Sequence, residues 1–375
     1  MAADSRSKRE AFNPIAGMTT GEIWREVRGR LRLARSAGAF AAWRSLRTEL
    51  AVARVRRARR LETARHIWTD AAVQVGAELE PLGPDVFEIR RGEKSTRVIR
   101  ERVMLNDAVS IELAETKPLA RRLLAAAGLP VPEWCEFEPG RSEPAYRLLE
   151  EHPPPFVVKP TTASGGRGVT TNIRTRVHLD DAATLAARFG SRLTIERQAA
   201  GEVYRLLVLD DRVIDVVRRR RPRLTGDGTS TIAELIDAEN RRRLTDPSSF
   251  VGLPIDFDCL FTLETQGLSL SSVPALGVTF TARTVTNYNA EFENETIDQP
   301  IADALRAEAI RAAQCLNLRL AALDIVATQP NRGLGESGGI LLEVNPVPGL
   351  HHHYRVADPS QRSNVAVEIL QRLLE

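Results

Sequence analysis

Hydrophobic positions along this chain change period several times, and each change marks an element. Trp24, Val27 and Leu31 share one helical face, with Thr20 placed to cap a helix that starts near Glu22. A second helical pattern follows Gly38, with Phe40, Trp43, Leu46 and Leu50 on one face, and runs into a stretch rich in arginine at 54–60. From 66 to 107 the pattern becomes a short helix around 71–73 and two alternating strands, 86–89 and 96–99, which turn at Arg91-Gly92-Glu93. Residues 111–128 read as one helix, with Leu119, Leu123 and Leu124 inward and Gly128 as the stop. A loop-rich stretch with a short helix leads to a buried strand at 156–158. Then come a helix at 180–189, a strand at 193–196, an antiparallel pair at 203–209 and 212–218, and a helix capped by Ser230 or Thr231 that runs to Asn240. Residues 245–300 read as short strands and turns. A helix at 301–316, buried strands at 320–326 and 340–344, a sharp break at 345–349 and a helix at 365–374 complete the pattern.

With 375 residues, 43% hydrophobic and 27% charged, the chain has the composition of a soluble protein with room for two or three packed units. No apolar run approaches the roughly 18–20 residues that a membrane span needs. The opening MAADSRSKRE has no apolar stretch after its charges, which argues against a secretory signal. Cys135, Cys259 and Cys315 are far apart and form no CxxC, the usage expected of reduced thiols in a cytoplasmic protein. The net charge of +3 hides an asymmetry: residues 1–66 hold 16 Lys+Arg against 6 Asp+Glu, so this end carries +10 and the remainder −7. The basic helical arm has two readings. It is a solvated arm packed on its own domain or against a second protomer in a homodimer, or it receives an anionic partner.

The stretch 155–171, PFVVKPTTASGGRGVTT, places Lys159 at a strand end ahead of a glycine-rich loop, Ser164 to Gly168. Glycines let backbone N–H groups approach an anion, and Lys159 and Arg167 offer cations to a phosphate. No Gly-Lys-Ser/Thr follows, so this is not a Walker A loop. Further on, Glu343 and Asn345 are two apart on a strand and point to the same side. A facing strand that carries Asp324 would complete a hard-oxygen site suited to Mg²⁺. Charges on such apolar strands are costly unless something compensates them. His351, His352 and His353 are adjacent, so they cannot easily present all three rings to one tetrahedral ion; a substrate-pocket or structural role is favoured.

ETKPLARRLLAAAGLPVP, FVVKPTTASGGRGV, IERQAAGEVYRLLVLDDRVI, GDGTSTIAELIDAEN, LAALDIV and LLEVNPVPGLHHH occur in that order over about residues 110–356. In this the chain resembles the ATP-grasp carboxylate–amine ligases, above all the ATP-grasp part of cyanophycin synthetases and bifunctional glutathione synthetases. The resemblance implies an α+β ATP-grasp fold, two α/β subdomains that clamp ATP. Ahead of it stand the basic helical N-terminal arm (1–65) and a small pre-ATP-grasp α/β unit (66–109), with the ATP-grasp domain over 110–375. It implies Lys117 and Lys159 as nucleotide-phosphate lysines beneath the Ser164, Gly165, Gly166, Arg167 and Gly168 loop. Glu196 would open the adenine hinge, with Gln198 and Ala199 beside it, and Glu202 would take the ribose. Arg205 and Arg219 would face the transferred phosphoryl group. Asp324, Glu343 and Asn345 match the Mg²⁺ ligands, a set that Mn²⁺ would also fit, and His351, His353 and Asn287 would border the acceptor substrate.

The implied activity is an ATP- and Mg²⁺-dependent ligation. A small-molecule or peptide carboxylate is phosphorylated and an amine captures the acyl phosphate. The chain shows no Ser-His-Asp order that would support a protein nucleophile instead. A kinase that stops at phosphoryl transfer, or a nucleotide-gated binding protein anchored by its basic arm, are the alternatives. Nucleic acid is not an expected partner. No murein-ligase-like half with a Walker A motif is present, so cyanophycin is not the expected product.

Overall fold

The computed structural model describes residues 19–163, 165–246, 249, 251–288, 293–297 and 301–375. It opens with two helices, α1 (Thr20–Ala37) and α2 (Ala39–Gln74), which meet at Gly38. Thr19, not Thr20, caps α1: it accepts from the Glu22 N–H, and the Glu22 carboxylate accepts the Thr19 N–H at 2.7 Å. α2 does not stop after the arginine run. It contains neither Gly nor Pro, so the backbone continues through the residues expected to form a separate short helix. The 65/66 boundary expected from the change of periodicity therefore falls inside one helix.

A three-stranded antiparallel sheet follows, β1 (Glu78–Gly83), β2 (Val86–Arg91) and β3 (Lys94–Ile99). β1 gave no alternating signal because nearly all its side chains are exposed or half-exposed. Ile67, Trp68, Ala71 and Ala72 of α2 pack with Phe87, Ile89 and Val98 of this sheet, and the Trp68 indole N–H donates to the Arg100 carbonyl at 2.6 Å.

Where one helix was expected, there are two: α3 (Ala108–Glu115) and α4 (Lys117–Ala126). Pro118 has no N–H to give to the carbonyl four residues back, and its ring would collide with it. The chain turns at Thr116, with ψ 77°, and Lys117 becomes the first residue of α4.

The first lobe is built from β4 (Trp134–Phe137), α5 (Glu143–Glu151), β5 (Phe156–Pro160), β6 (Thr170–Ile173), α6 (Arg176–Ala186) and β7 (Leu193–Arg197). Its antiparallel sheet has the order β4-β7-β5-β6. Phe156, Val158, Ile173 and Ile195 bury against Leu179, Ala182 and Ala186 of α6. α1 lies on this lobe, where Arg188 pairs with Glu26 at 2.7 Å and with Glu49 of α2 at 3.3 Å. The approach needs a glycine: a Cβ at Gly29 would stand 2.5 Å from the Arg188 Cδ. Trp24, Val27 and Leu31, by contrast, face outward, as do the stacked Phe40 and Trp43.

The second lobe contains β8 (Glu202–Leu209), β9 (Arg212–Arg219), β10 (Arg223–Thr225), α7 (Ile232–Thr245), β11 (Thr279–Thr281) and β12 (Asn294–Thr296), while α8 (Phe257–Glu264), between α7 and β11 in the chain, packs back on the first lobe through Phe257 and Phe261. The second lobe continues with α9 (Asp303–Cys315), β13 (Leu320–Ala327), α10 (Leu334–Ser337), β14 (Ile340–Asn345), α11 (His351–Tyr354) and α12 (Val365–Leu373). α8 corrects the expectation of strands and turns over 245–300. It is apolar nearly all round, with Phe257, Leu260, Phe261 and Leu263, so no one-sided period betrays it. The main sheet is antiparallel, in the order β12-β9-β8-β13-β14. One face of it packs on α9, the other on the small unit and α12. α2 also leans on α7, with Arg44 3.1 Å from Asp237 and Arg59 donating to the Leu244 carbonyl at 2.7 Å. The described part of the basic arm thus joins the body along its length. No described helix is long and apolar enough to cross a membrane.

Candidate functional site

A cleft lies between the two sheets. Its walls are apolar at Val157, Val169, Val203, Val326 and Leu342, and charged at one end. β5 and β7 deliver the charges of the first lobe. Lys159 and Glu196 are both buried, with Lys159 Nζ 2.8 Å from Glu196 Oε1, and Arg121 of α4 donates to the other oxygen at 2.5 Å. Burial would raise the Glu196 pKa, but Lys159 and Arg121 outweigh it and hold the carboxylate below its usual range. Burial, with Arg121 and Lys117 near, depresses the Lys159 ammonium against the pull of Glu196.

The second lobe supplies the other cluster. The register of β8, β13 and β14 sets Arg205, Asp324 and Glu343 side by side across three strands. Arg205 grips Asp324 with two bonds, at 2.8 and 2.7 Å. Asn345 turns its amide nitrogen to the Asp324 carboxylate at 3.3 Å and to the Ala322 carbonyl at 3.4 Å. Burial pushes Asp324 up, yet Arg205 and Arg219 bring its pKa below the ordinary value. Arg219 is 1% exposed and only 3.9 Å from Asp324, and its Nε has no hydrogen-bond partner. Burial, then the neighbouring Arg205, lowers the Arg219 pKa to about 10 in spite of Asp324 and Glu343. Lys117 links the lobes: its ammonium donates to the Ala163 carbonyl at 2.9 Å and lies 3.2 Å from Glu343 Oε1.

The glycine loop closes this end. Gly165 and Gly166 line the cleft, both with positive φ, and a Cβ at Gly166 would stand 2.8 Å from the Asn287 side chain. Gly168 faces away, against Phe189 and Pro160, and Arg167 lies over the Phe189 ring. Neither lines the cleft, because the loop turns its second half toward α6. Ser164 lies outside the described residues. Gln198 and Ala199 line the cleft, but the Gln198 side chain is engaged with Asn172, whose N–H it accepts at 2.7 Å. Glu202 begins β8 opposite Ala327 without lining the cleft.

The three histidines part company. His351 reaches Glu101 at 2.6 Å. His353 is fully buried and reaches Asp215 at 2.5 Å, which takes it away from the site, so its place is structural. His351 and His352 both border the open space. Enclosure by the chain, then His351, Arg205 and Arg219, holds the His352 pKa well below its usual value. Burial would raise Glu101, but His351 and Arg60 bring it to about 2.

Sequence reasoning missed Arg121, which carried no local signal apart from its helix. It also missed Asp258, fully buried on α8, whose carboxylate accepts from Thr171 and from the Val285 N–H. That tie holds residues 284–287 over the cleft. Among the described residues no group of three His, Cys, Asp or Glu gathers as a metal site. The donors present are two carboxylates and an amide, all hard oxygen ligands with no competing thiol or imidazole, and they fit Mg²⁺ better than a softer ion.

No family model matches the chain. Over 277 residues it is 31% identical to the cyanophycin synthetase of Trichormus variabilis, an alignment that covers 71% of this chain and 30% of that protein. Over 273 residues it is 25% identical to the glutathione biosynthesis bifunctional protein GshAB of Desulfotalea psychrophila, covering 70% and 34%. Among solved structures, a bifunctional glutathione synthetase from Pasteurella multocida superposes with a TM-score of 0.50 at 21% identity, covering 80% of this chain and 42% of that one. The chain thus spans about a third of the length of the curated relatives it matches.

Proposed function

From the premise that this chain belongs to the ATP-grasp family of carboxylate–amine ligases, we propose that it condenses a carboxylate with an amine at the expense of ATP. The observation that carries the reading is the open charge cluster of Arg205, Arg219, Lys117, Asp324, Glu343 and Asn345 at the end of an apolar slot. An adenine ring suits the slot between Val157, Val203 and Leu342. The triphosphate then lies under Gly165 and Gly166 toward Lys117 and Lys159.

Mg²⁺, when bound by Asp324, Glu343 and the Asn345 carbonyl oxygen, neutralises phosphate charge. The substrate carboxylate oxygen attacks the γ-phosphorus, the bond to the β-phosphate oxygen breaks and ADP leaves. The amine nitrogen then attacks the acyl carbon and loses a proton, and phosphate departs as the amide forms. Arg205, fixed by two bonds to Asp324, and Arg219, with an unused N–H, are donors already aimed where charge develops. No protein nucleophile is required.

The test is ADP release screened across paired acids and amines, with mass spectrometry of the products. Amide product with one ADP per bond supports a ligase. ADP with a phosphorylated acid and no amide supports a kinase, and no ADP with any pair overturns both.

A further inference from the structure

Past the glycine loop the cleft widens into a cavity of about 810 Å³, and its far wall belongs to neither lobe. α2 makes it. Arg56 and Arg57 lie four and three residues before Arg60, and all three border the same space as Lys117, Asn345 and His352. The wall touches the phosphate loop, since a Cβ at Gly165 would stand 3.3 Å from the Arg56 guanidinium. Arg102 extends the wall, as does Arg100, whose guanidinium is paired with Asp85 at 3.3 Å. The acid between them, Glu101, is committed to His351 at 2.6 Å and to Arg60 at 3.4 Å. α2 is held before the arginines by Arg44 and among them by Arg59, both on α7, and beyond them by Trp68 in the core. Glu115 borders the same space, so the lining as a whole carries both signs, but the α2 face itself presents only cations, and a cationic face in a concave site concentrates anions.

Building on the ligase reading, we infer that the acid substrate is polyanionic: its reacting carboxylate sits at Lys117 and Arg205, and further carboxylates lie against Arg56, Arg57 and Arg60. The basic arm is then the specificity-determining wall of the acid site. A small dicarboxylate and an acidic peptide share this chemistry and differ in how far they reach along the wall.

The full chain, loaded with AMP-PNP and Mg²⁺, is titrated calorimetrically with the dipeptides Asp-Asp and Glu-Glu and with their amides Asn-Asn and Gln-Gln. Free aspartate and a hexa-aspartate separate the small from the peptide source. The acidic dipeptides should bind about tenfold tighter than the amides, as hydrogen bonds to charged partners allow. The preference should shrink as salt rises from about 0.1 to 1 M. It should vanish in Arg57→Gln/Arg60→Gln while AMP-PNP affinity is kept, and it should reverse in Arg57→Glu, an exposed single change that stands in if the double variant misfolds. Equal binding of acids and amides, no binding of either, or a preference that survives both variants overturns the inference. The titration needs no turnover, so a chain that prefers acids yet forms no amide would sink the ligase reading alone.

Discussion

Two buried charge clusters face each other across the cleft, and they differ in whether they are closed. In the first lobe Glu196 gives one oxygen to Lys159 and the other to Arg121, so its acceptors are met within the fold. In the second, Asp324 is bound fully by Arg205, while Arg219 stands 3.9 Å off with an Nε that nothing accepts. A closed cluster holds its strands and helix in place; an open one keeps a desolvated donor for a ligand. Charge alone therefore does not mark chemistry in this protein. On the ligase reading proposed above, incomplete pairing does.

On this contrast, the largest effect on folding belongs to the closed cluster. Glu196→Gln leaves two cations buried without their counter-charge and should cost about 3–5 kcal/mol of stability, read from urea unfolding. A loss below 1 kcal/mol, on the scale of an exposed pair, would dissolve the contrast. Lys159 belongs to the closed cluster, so Lys159→Ala should lower stability and, on the proposed ligase reading, ATP affinity with it.

Arg219→Met should behave in the opposite way. Turnover should fall by about 10²- to 10³-fold, the usual loss for one preorganised donor, while the melting temperature stays or rises. The sign follows from the lowered pKa of about 10: between that pH and the ordinary arginine range the folded chain binds fewer protons than the unfolded one. Carrying the charge at neutral pH is thus a cost to folding, and Met removes it. A destabilised variant with normal turnover would reverse the assignment.

Glu343→Gln sits between these two cases. Glu343 is half-buried on β14, the edge strand of the main sheet, so the fold should survive. Turnover should drop by about 10²-fold and recover in part at raised Mg²⁺. Normal turnover at ordinary Mg²⁺ would remove Glu343 from the ligand set.

How much of this was legible beforehand depended on whether the signal was local. Lys159, Asp324, Glu343 and Asn345 sat on short strands with clear patterns, and the register of β8, β13 and β14 brings Arg205 to the same place. The resemblance to a family located Lys117 and Arg219, which the pattern alone did not single out. What stayed hidden was set by distant contacts. Arg121 looks like any arginine of an amphipathic helix until Glu196 is seen beside it. Arg167 and Gly168 looked equivalent to Gly165 and Gly166, but Phe189 and Pro160 turn that half of the loop away. The arginines of α2 read as an arm outside the core because the helix that carries them back to Trp68 has no punctuation in sequence.

The break at Thr116 offers the finest test, because it was expected to be continuous helix and because Lys117 is where the clusters meet. Lys117 reaches the Ala163 carbonyl just ahead of the glycine loop and Glu343 in the main sheet. It does so from the first turn of α4, a position Pro118 creates by refusing the hydrogen bond that would extend α3. Pro118→Ala restores the N–H and permits a continuous helix, which would rotate Lys117 away from one or both partners. Stability should move by no more than about 1 kcal/mol, since a better helix offsets the lost contacts. The KM for ATP should rise by about tenfold, the equivalent of one charge-assisted bond, with kcat changed less. An unaltered KM would mean that α4 holds Lys117 without the proline, through Arg121 and its grip on Glu196, and that the closed cluster alone positions the residue joining it to the open one.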